Sequence, residues 1–328
     1  MQTRKRPDRS SPYELPLFSQ PSIDNDFLYK KERLLKFLRG HKQRYKRYTG
    51  SPLRYAGGKS WAVGYIIEHL PATLDRVVSP FIGGASLEVA LAKELGIFVL
   101  GFDIFDILVN YWQVQIKYPH DIYSELKNFS PDAQTYKRVK YFLKKHWQKE
   151  IVLPPVKLAA YYYFNHNLSY GPGFLGWLSS VYAKQEVYDR MIQKVRDFKV
   201  AGLWVECANF PEVIEEHHQD FLYCDPPYYL GEDSTLFRGL YPQRNFPIHH
   251  DNLKHEVLRD LLHSHKGGFI LSYNDSPTIR DWYRDFEIIE LPVHYTMGQG
   301  EKRIGENRRK KNTAHVKKTV ELLIIKRG

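Results

Sequence analysis

The chain of 328 residues, 43% hydrophobic and 15% aromatic, can hold one large α/β domain plus a smaller inserted or appended one. No run approaches the ~18 uninterrupted apolar residues of a membrane helix, and its two cysteines, Cys207 and Cys224, exclude a zinc or disulfide framework and favour a reducing, cytoplasmic setting. The net charge of +11 is concentrated in two runs, a pattern that suits a polyphosphate partner whose affinity falls with salt.

The first ~28 residues read as unstructured, because Pro7, Pro12, Pro16 and Pro21 stand among serines and charges. Arg4-Lys5-Arg6 is not followed by the apolar segment of a secretory signal. Residues 27–48 then read as a basic helix with apolar points at Leu34, Leu35 and Leu38. Within 30–47 there are nine basic residues and one acid, Glu32. Residues 1–48 together form a basic, partly disordered extension that suits a polyphosphate partner or is simply a solvated tail.

From Ser51 the pattern alternates strands with helices, the mark of a doubly wound sheet. The expected strands are 76–79, 97–102, 221–224, 268–272, 287–291 and 320–325. The expected helices are 59–69, 86–95, 251–264 and 277–282. Residues 114–203 break the alternation: they are helical in period, rich in tyrosine and without a convincing parallel strand. This reads as an insert between two sheet strands, leaving 49–113 and 204–328 as the sheet domain. Near the end, residues 301–318 carry eight basic residues and two acids.

Three motifs carry chemistry. The first is Phe221-Leu222-Tyr223-Cys224-Asp225-Pro226-Pro227-Tyr228, an apolar strand ending in an acid, two prolines and an aromatic. Ligands of open α/β sheets sit at the carboxyl ends of strands, and the prolines leave carbonyls that can only accept. An aromatic amino nitrogen is a poor nucleophile because its lone pair is delocalised into the ring. If the Asp225 carboxylate and the Pro226 carbonyl accept its two hydrogens, the lone pair is freed to point at a methyl donor. Tyr228 would stack on a base turned out of the duplex, a contact worth roughly 1–3 kcal/mol.

The second motif is Ser79-Pro80-Phe81-Ile82-Gly83-Gly84-Ala85-Ser86, between a strand and a helix, with Asp103 closing the next strand. Small residues allow close backbone approach, and an acid at that spacing can accept ribose hydroxyls of an adenosyl group. A dinucleotide site would need glycines where Ala85 and Glu88 stand. The third is Leu53-Arg54-Tyr55-Ala56-Gly57-Gly58-Lys59-Ser60, which imitates a P-loop but has Leu53 where that loop needs glycine. Its Lys59 is either a cofactor-carboxylate ligand or a plain loop lysine.

With these motifs in this order, the chain resembles the Dam-type, α-group site-specific DNA adenine-N6 methyltransferases over roughly residues 51–328. Leu271-Ser272-Tyr273-Asn274-Asp275 and Lys317-Lys318-Thr319-Val320-Glu321-Leu322-Leu323-Ile324 extend the likeness. The resemblance implies a Rossmann-like, S-adenosylmethionine-dependent methyltransferase sheet with an inserted, mainly helical target-recognition domain. It implies that Tyr55, Lys59, Phe81, Gly83, Asp103 and Asp225 contact S-adenosylmethionine, and that Asp225, Pro226 and Tyr228 are catalytic. Two departures stand out: Ser79 replaces the family's usual glutamate, and the second glycine is displaced to give Gly83-Gly84-Ala85.

In the insert, Asn165, His166, Asn167 and Tyr170 are candidate groove readers, since amides can bond adenine in the major groove; the competing reading is helix core. Arg303, Arg308, Arg309, Lys310 and Lys311 suit phosphates. His217-His218 and His249-His250 read as surface histidines, so no metal is expected. The expected partners are double-stranded DNA and, in a restriction–modification setting, a companion restriction enzyme. No membrane is expected, and the chain should be a monomer or weak dimer. The alternatives are methylation of RNA adenine or of cytosine N4, or a catalytically impaired DNA-binding relative.

Overall fold

In the computed structural model, the described residues are 23–41, 44–171, 173–229, 231, 253–293 and 319–328. Seven strands form one sheet: β1 (Arg76–Ser79), β2 (Phe98–Asp103), β3 (Leu203–Cys207), β4 (Leu222–Cys224), β5 (Phe269–Asn274), β6 (Glu287–Val293) and β7 (Thr319–Lys326). Their order is β3-β2-β1-β4-β5-β7-β6. The first five run parallel, and β7 is antiparallel between β5 and β6. From β1 the chain steps outward through β2 to β3, then returns to β4 and steps the other way. The carboxyl ends of β1 and β4 therefore flank the switch point, where a ligand crevice opens in such sheets.

The strands follow from two-sided burial. Val77, Val99, Tyr223, Ile270 and Leu323 belong to the core on one face, and Val78, Leu222, Cys224, Leu271 and Ile324 to the core on the other. Alternate residues point to opposite faces, so a strand covered on both sides must be apolar throughout. All six residues of β5 are buried.

On the first face lie α1 (Ile23–Leu38), α2 (Val63–Glu68) and α3 (Ser86–Ala90), which continues as a π-helical turn over Leu91–Leu95. Gly96, at φ 74°, ends that turn in the left-handed conformation that favours glycine. Five helices connect β2 to β3: α4 (Asp106–Lys117), α5 (Pro119–Lys127), α6 (Ala133–Trp147), α7 (Pro155–Leu168) and α8 (Gln185–Arg196). Every residue of α7 from Leu158 to Leu168 is buried, as expected of a helix apolar on all sides, and α4, α5 and α6 pack around it. The opposite face carries α9 (Phe210–Glu216), α10 (His255–Ser264) and α11 (Pro277–Trp282). Ser276 caps α11, with Pro277 in the first turn.

The sheet is the expected doubly wound one, and all six expected strands are present with small shifts at their ends. Two elements were missed, β3 and α9. In β3 only Leu203 and Val205 are buried, while Trp204, Glu206 and Cys207 face outward; an edge strand gives a short, half-polar pattern. The helix expected over 59–69 begins only at Val63, because the Gly57–Gly58 turn runs into further turns first. The expected insert boundary at 114 falls within α4.

The stretch read as an extension is fastened to the sheet domain. Its helix begins at Ile23, inside the span expected to be unstructured, and stops at Leu38 rather than continuing to 48. A bridge between Arg39 and Tyr45 follows. Phe27, Leu34, Leu38 and Tyr48 are buried in the same core as α2 and the π-helical turn. Tyr48 donates to Glu94 Oε1 at 2.9 Å and Lys31 donates to the Leu70 carbonyl at 2.7 Å. Among the described residues no helix is long and apolar enough to cross a membrane.

Candidate active site

A cavity of about 430 Å³ opens at the carboxyl ends of β1, β2 and β4, within the size range of small-ligand sites. It brings together Tyr55, Lys59, Phe81, Gly83, Asp103 and Asp225, which lie up to 170 positions apart in sequence, and also Pro226 and Tyr228.

Asp225 follows the last residue of β4, and Pro226-Pro227 cannot continue the ladder, so its side chain turns into the crevice. Lys59 Nζ lies 2.6 Å from Asp225 Oδ1 and 3.5 Å from Glu321 Oε1, and donates to the Gly57 carbonyl at 2.9 Å. Lys59 is 4% exposed and Glu321, on β7, fully buried, while one-fifth of the Asp225 side chain is open. Burial raises the Asp225 carboxyl to about 6; the Lys59 charge pulls it down and Glu321 pushes it up. At neutral pH the acid is therefore ionised and able to accept hydrogen bonds. The lysine expected either to hold a cofactor carboxylate or to stand in a plain loop lines the cavity as a buried counter-ion of Asp225. Tyr228 is 4% exposed, with the Lys59 ammonium 4.9 Å from its ring centroid.

The displaced glycine has a packing reason. A Cβ on Gly84 would lie 2.5 Å from Tyr55 Cβ, and one on Gly83 would lie 3.1 Å from Tyr55 Cε1. The pair makes room for the Tyr55 ring. Gly83 (φ 45°) and Ala85 (φ 48°) both adopt the left-handed conformation, so alanine sits where glycine would be unstrained. At the other departure, Ser79 donates to Glu88 Oε1 at 2.7 Å, so a buried carboxylate stands at the end of β1.

Asp103 Oδ2 accepts from the Gly83 N–H at 3.3 Å and Oδ1 from the Phe105 N–H at 3.0 Å. This fixes the carboxylate beside the glycine turn. Phe81 stacks on Phe210, ring centroids 5.4 Å apart. Asn209, Phe210 and Glu88 also line the cavity and were not identified from the sequence. The alternating Leu203-Trp204-Val205-Glu206 pattern, followed by Asn209-Phe210-Pro211 as a helix start, was the available signal for the first two.

The insert reaches this site through α7, and two of its candidate groove readers are corrected. Asn165 and Asn167 are fully buried. Asn165 Oδ1 accepts from the Leu175 N–H at 2.8 Å; Asn167 Oδ1 accepts from the Arg54 N–H at 3.0 Å and its Nδ2 donates to the Pro52 carbonyl at 3.3 Å. The Asn167 amide holds backbone through both ends and that of Asn165 through Oδ1 alone, and at full burial neither side chain is open to a groove. His166 is buried as well, stacked on Tyr55 at 5.4 Å, and burial lowers its pKa to about 3, so it is neutral. Tyr170 differs: it is 69% exposed, paired through its N–H with the Trp177 carbonyl at 2.7 Å, and Trp177 is itself 66% exposed. Arg303, Arg308, Arg309, Lys310 and Lys311 lie outside the described residues, as do His249 and His250. His217 Nδ1 sits 2.8 Å from Asp220 Oδ2, and among the described residues no three His, Cys, Asp or Glu side chains converge on a metal site.

A family model described as D12 class N6 adenine-specific DNA methyltransferase matches residues 55–297. That span begins at Tyr55 and includes every cavity residue named above. A search of curated proteins found no match.

Proposed function

We propose, from the premise that the chain belongs to the D12 class N6 adenine-specific DNA methyltransferase family, that it methylates N6 of an adenine flipped out of double-stranded DNA at a specific short site. Family membership alone carries the coarser statement, S-adenosylmethionine-dependent methylation of adenine in DNA. The finer reading rests on one observation: Asp225 and Pro226 line the same cavity as Gly83 and Asp103, at the switch point of the sheet.

The residues present fit S-adenosylmethionine. Asp103, held by two backbone N–H groups, offers a carboxylate to ribose hydroxyls, the Phe81–Phe210 stack offers an apolar wall to an adenine ring, and the carboxylates at the other end suit a cationic ligand. When bound, that cofactor supplies an electrophilic sulfonium methyl. The chain supplies alignment. The Asp225 carboxylate and the Pro226 carbonyl accept the two hydrogens of the base amine, turning its lone pair out of conjugation. Lys59 keeps Asp225 ionised in a buried setting. Tyr228 offers a ring to the extruded base, one of its faces being occupied by the Lys59 ammonium. No covalent enzyme intermediate is needed, because the enzyme orients two reactants.

For recognition we assign residues 114–203, with the exposed Tyr170 as the contacting side chain, and the basic residues Arg303, Arg308, Arg309 and Lys310 as phosphate contacts on their charge alone. The exposed basic side chains of α1, Arg33 and Lys36 among them, suit phosphates on the same ground of charge. A monomer or weak dimer and a cytoplasmic setting complete the proposal. Incubation with labelled S-adenosylmethionine and unmethylated genomic DNA, followed by single-molecule sequencing, tests it: label on adenine N6 within one short motif is expected, and label on cytosine or only on RNA would refute it.

A further inference from the structure

Glu88 projects from the first turn of α3 and lines the cavity, yet is only 2% exposed. Its carboxylate accepts a hydrogen bond from Ser79 Oγ at 2.7 Å. The ion pairs of Lys59 go to Asp225 and Glu321, not to Glu88. A buried carboxyl bonded by a hydroxyl is costly to ionise: burial raises it to about 7, with the Asp225 charge adding and the Ser79 bond and Lys59 charge opposing. The groups that face it are Ser79 on β1, Tyr223 on β4, Asp225 after β4 and Lys59 ahead of α2. A costly acid in a ligand-cavity wall is explained if its cation arrives with the ligand.

Asp103 closes β2 and Phe210 follows β3, on one side of β1 in the strand order, whereas Asp225 follows β4 on the other side, and Glu88, bonded to Ser79 at the end of β1, lies close enough to feel the Asp225 charge. An extended ligand with its ribose at Asp103 therefore sends its other end toward Glu88. A sulfonium has no hydrogen to donate and an ammonium has three, so a carboxylate with lone pairs to satisfy selects the ammonium.

We propose that Glu88 is the counter-anion for the ammonium at the amino-acid end of S-adenosylmethionine, leaving Asp225 to the base amine; this rests on the methyltransferase reading above. Cation binding then drives the proton off Glu88, so tail-bearing ligands are bound with proton release.

The test is calorimetric titration of the full chain with S-adenosylmethionine, S-adenosylhomocysteine and 5′-methylthioadenosine, the last of which lacks the amino-acid tail, in buffers of differing ionisation enthalpy. Glu88→Gln keeps a partner for Ser79, and thermal unfolding checks that it folds. The expected result is a loss of ~10-fold or more for both tail-bearing ligands, with methylthioadenosine changed less than ~2-fold. At pH 7 wild type should release roughly half a proton with S-adenosylhomocysteine, given a group near 7, and Glu88→Gln should not. Equal loss for all three ligands would make Glu88 mere wall, loss for S-adenosylmethionine alone would make it a sulfonium counter-ion, and no loss would give it no role; each overturns the proposal. If Glu88→Gln does not fold, proton release by wild type with the tail-bearing ligand and not with methylthioadenosine decides alone. A wild type that binds none of the three fails the methyltransferase reading itself, and the proposal with it.

Discussion

The ammonium of Lys59 is shared between the Asp225 carboxylate at 2.6 Å and the Glu321 carboxylate at 3.5 Å. Two acids around one buried base thus stand at the group that, in the proposed mechanism, accepts hydrogens from the substrate amine. The balance between burial and Lys59 sets the pH at which Asp225 becomes an acceptor.

That balance gives a pH profile. Asp225 acts ionised and its carboxyl stands at about 6, so kcat/KM should be flat above neutrality and fall as pH drops through about 6. Lys59 lowers this value, so Lys59→Met should move the acid limb upward by a unit or more, on the order expected for a lost neighbouring charge. Initial-rate measurements from about pH 5 to about pH 9 would show it. An acid limb that stays in place would mean that Lys59 does not govern Asp225.

Glu88 should cost stability where it is ionised. Its carboxyl is raised from 4.5 to about 7 on folding, so the folded chain binds the proton more tightly than the unfolded one. The resulting penalty is absent below the unfolded value and complete above about 7. Glu88→Gln should therefore stabilise the chain at pH 8 by about 1–3 kcal/mol and leave it nearly unchanged at pH 4.5, close to the unfolded value. Denaturant unfolding at the two pH values tests the sign. A variant destabilised at pH 8 would contradict it.

The glycine turn makes two opposite predictions. Ala85 holds φ 48°, so Ala85→Gly should relieve strain and stabilise by about 1 kcal/mol. Gly84→Ala should instead push Tyr55, whose Cβ would lie 2.5 Å from the new methyl, and raise the KM for the cofactor with less effect on DNA affinity. Thermal unfolding and cofactor titration separate the two effects.

Much of this was legible in the sequence, for identifiable reasons. The strands buried on both faces are nearly unbroken apolar runs, and Asp225-Pro226-Pro227 ends one of them abruptly. The edge strand β3 was not, because only Leu203 and Val205 turn inward, and losing it hid Asn209 and Phe210 behind it. Glu88 was passed over since nothing local marks a helix glutamate that folds back onto Ser79. Asn165 and Asn167 were misread because an amide gives the same letter whether it bonds a base edge or a backbone; only the burial of α7 tells which.

The corrected roles in the insert separate stability from recognition. Asn167→Ala removes bonds to the Arg54 N–H and the Pro52 carbonyl and should destabilise by about 1–3 kcal/mol through unpaired buried groups. Tyr170→Ala and Trp177→Ala, both at exposed side chains, should leave unfolding within about 0.5 kcal/mol while weakening DNA binding or relaxing site choice. Unfolding and DNA titrations on the three variants would check this. A stable Asn167→Ala with altered site preference would restore it as a reader.

The most direct measurement is nucleoside mass spectrometry of DNA after reaction with wild type and with Asp225→Ala, alongside DNA and cofactor binding by both. Wild type should yield N6-methyladenine, and the variant should lose at least ~10²-fold in rate, the scale of a lost transition-state acceptor, while DNA affinity stays close to wild type. Undiminished methylation by Asp225→Ala, or a methyl group on cytosine, would contradict the account.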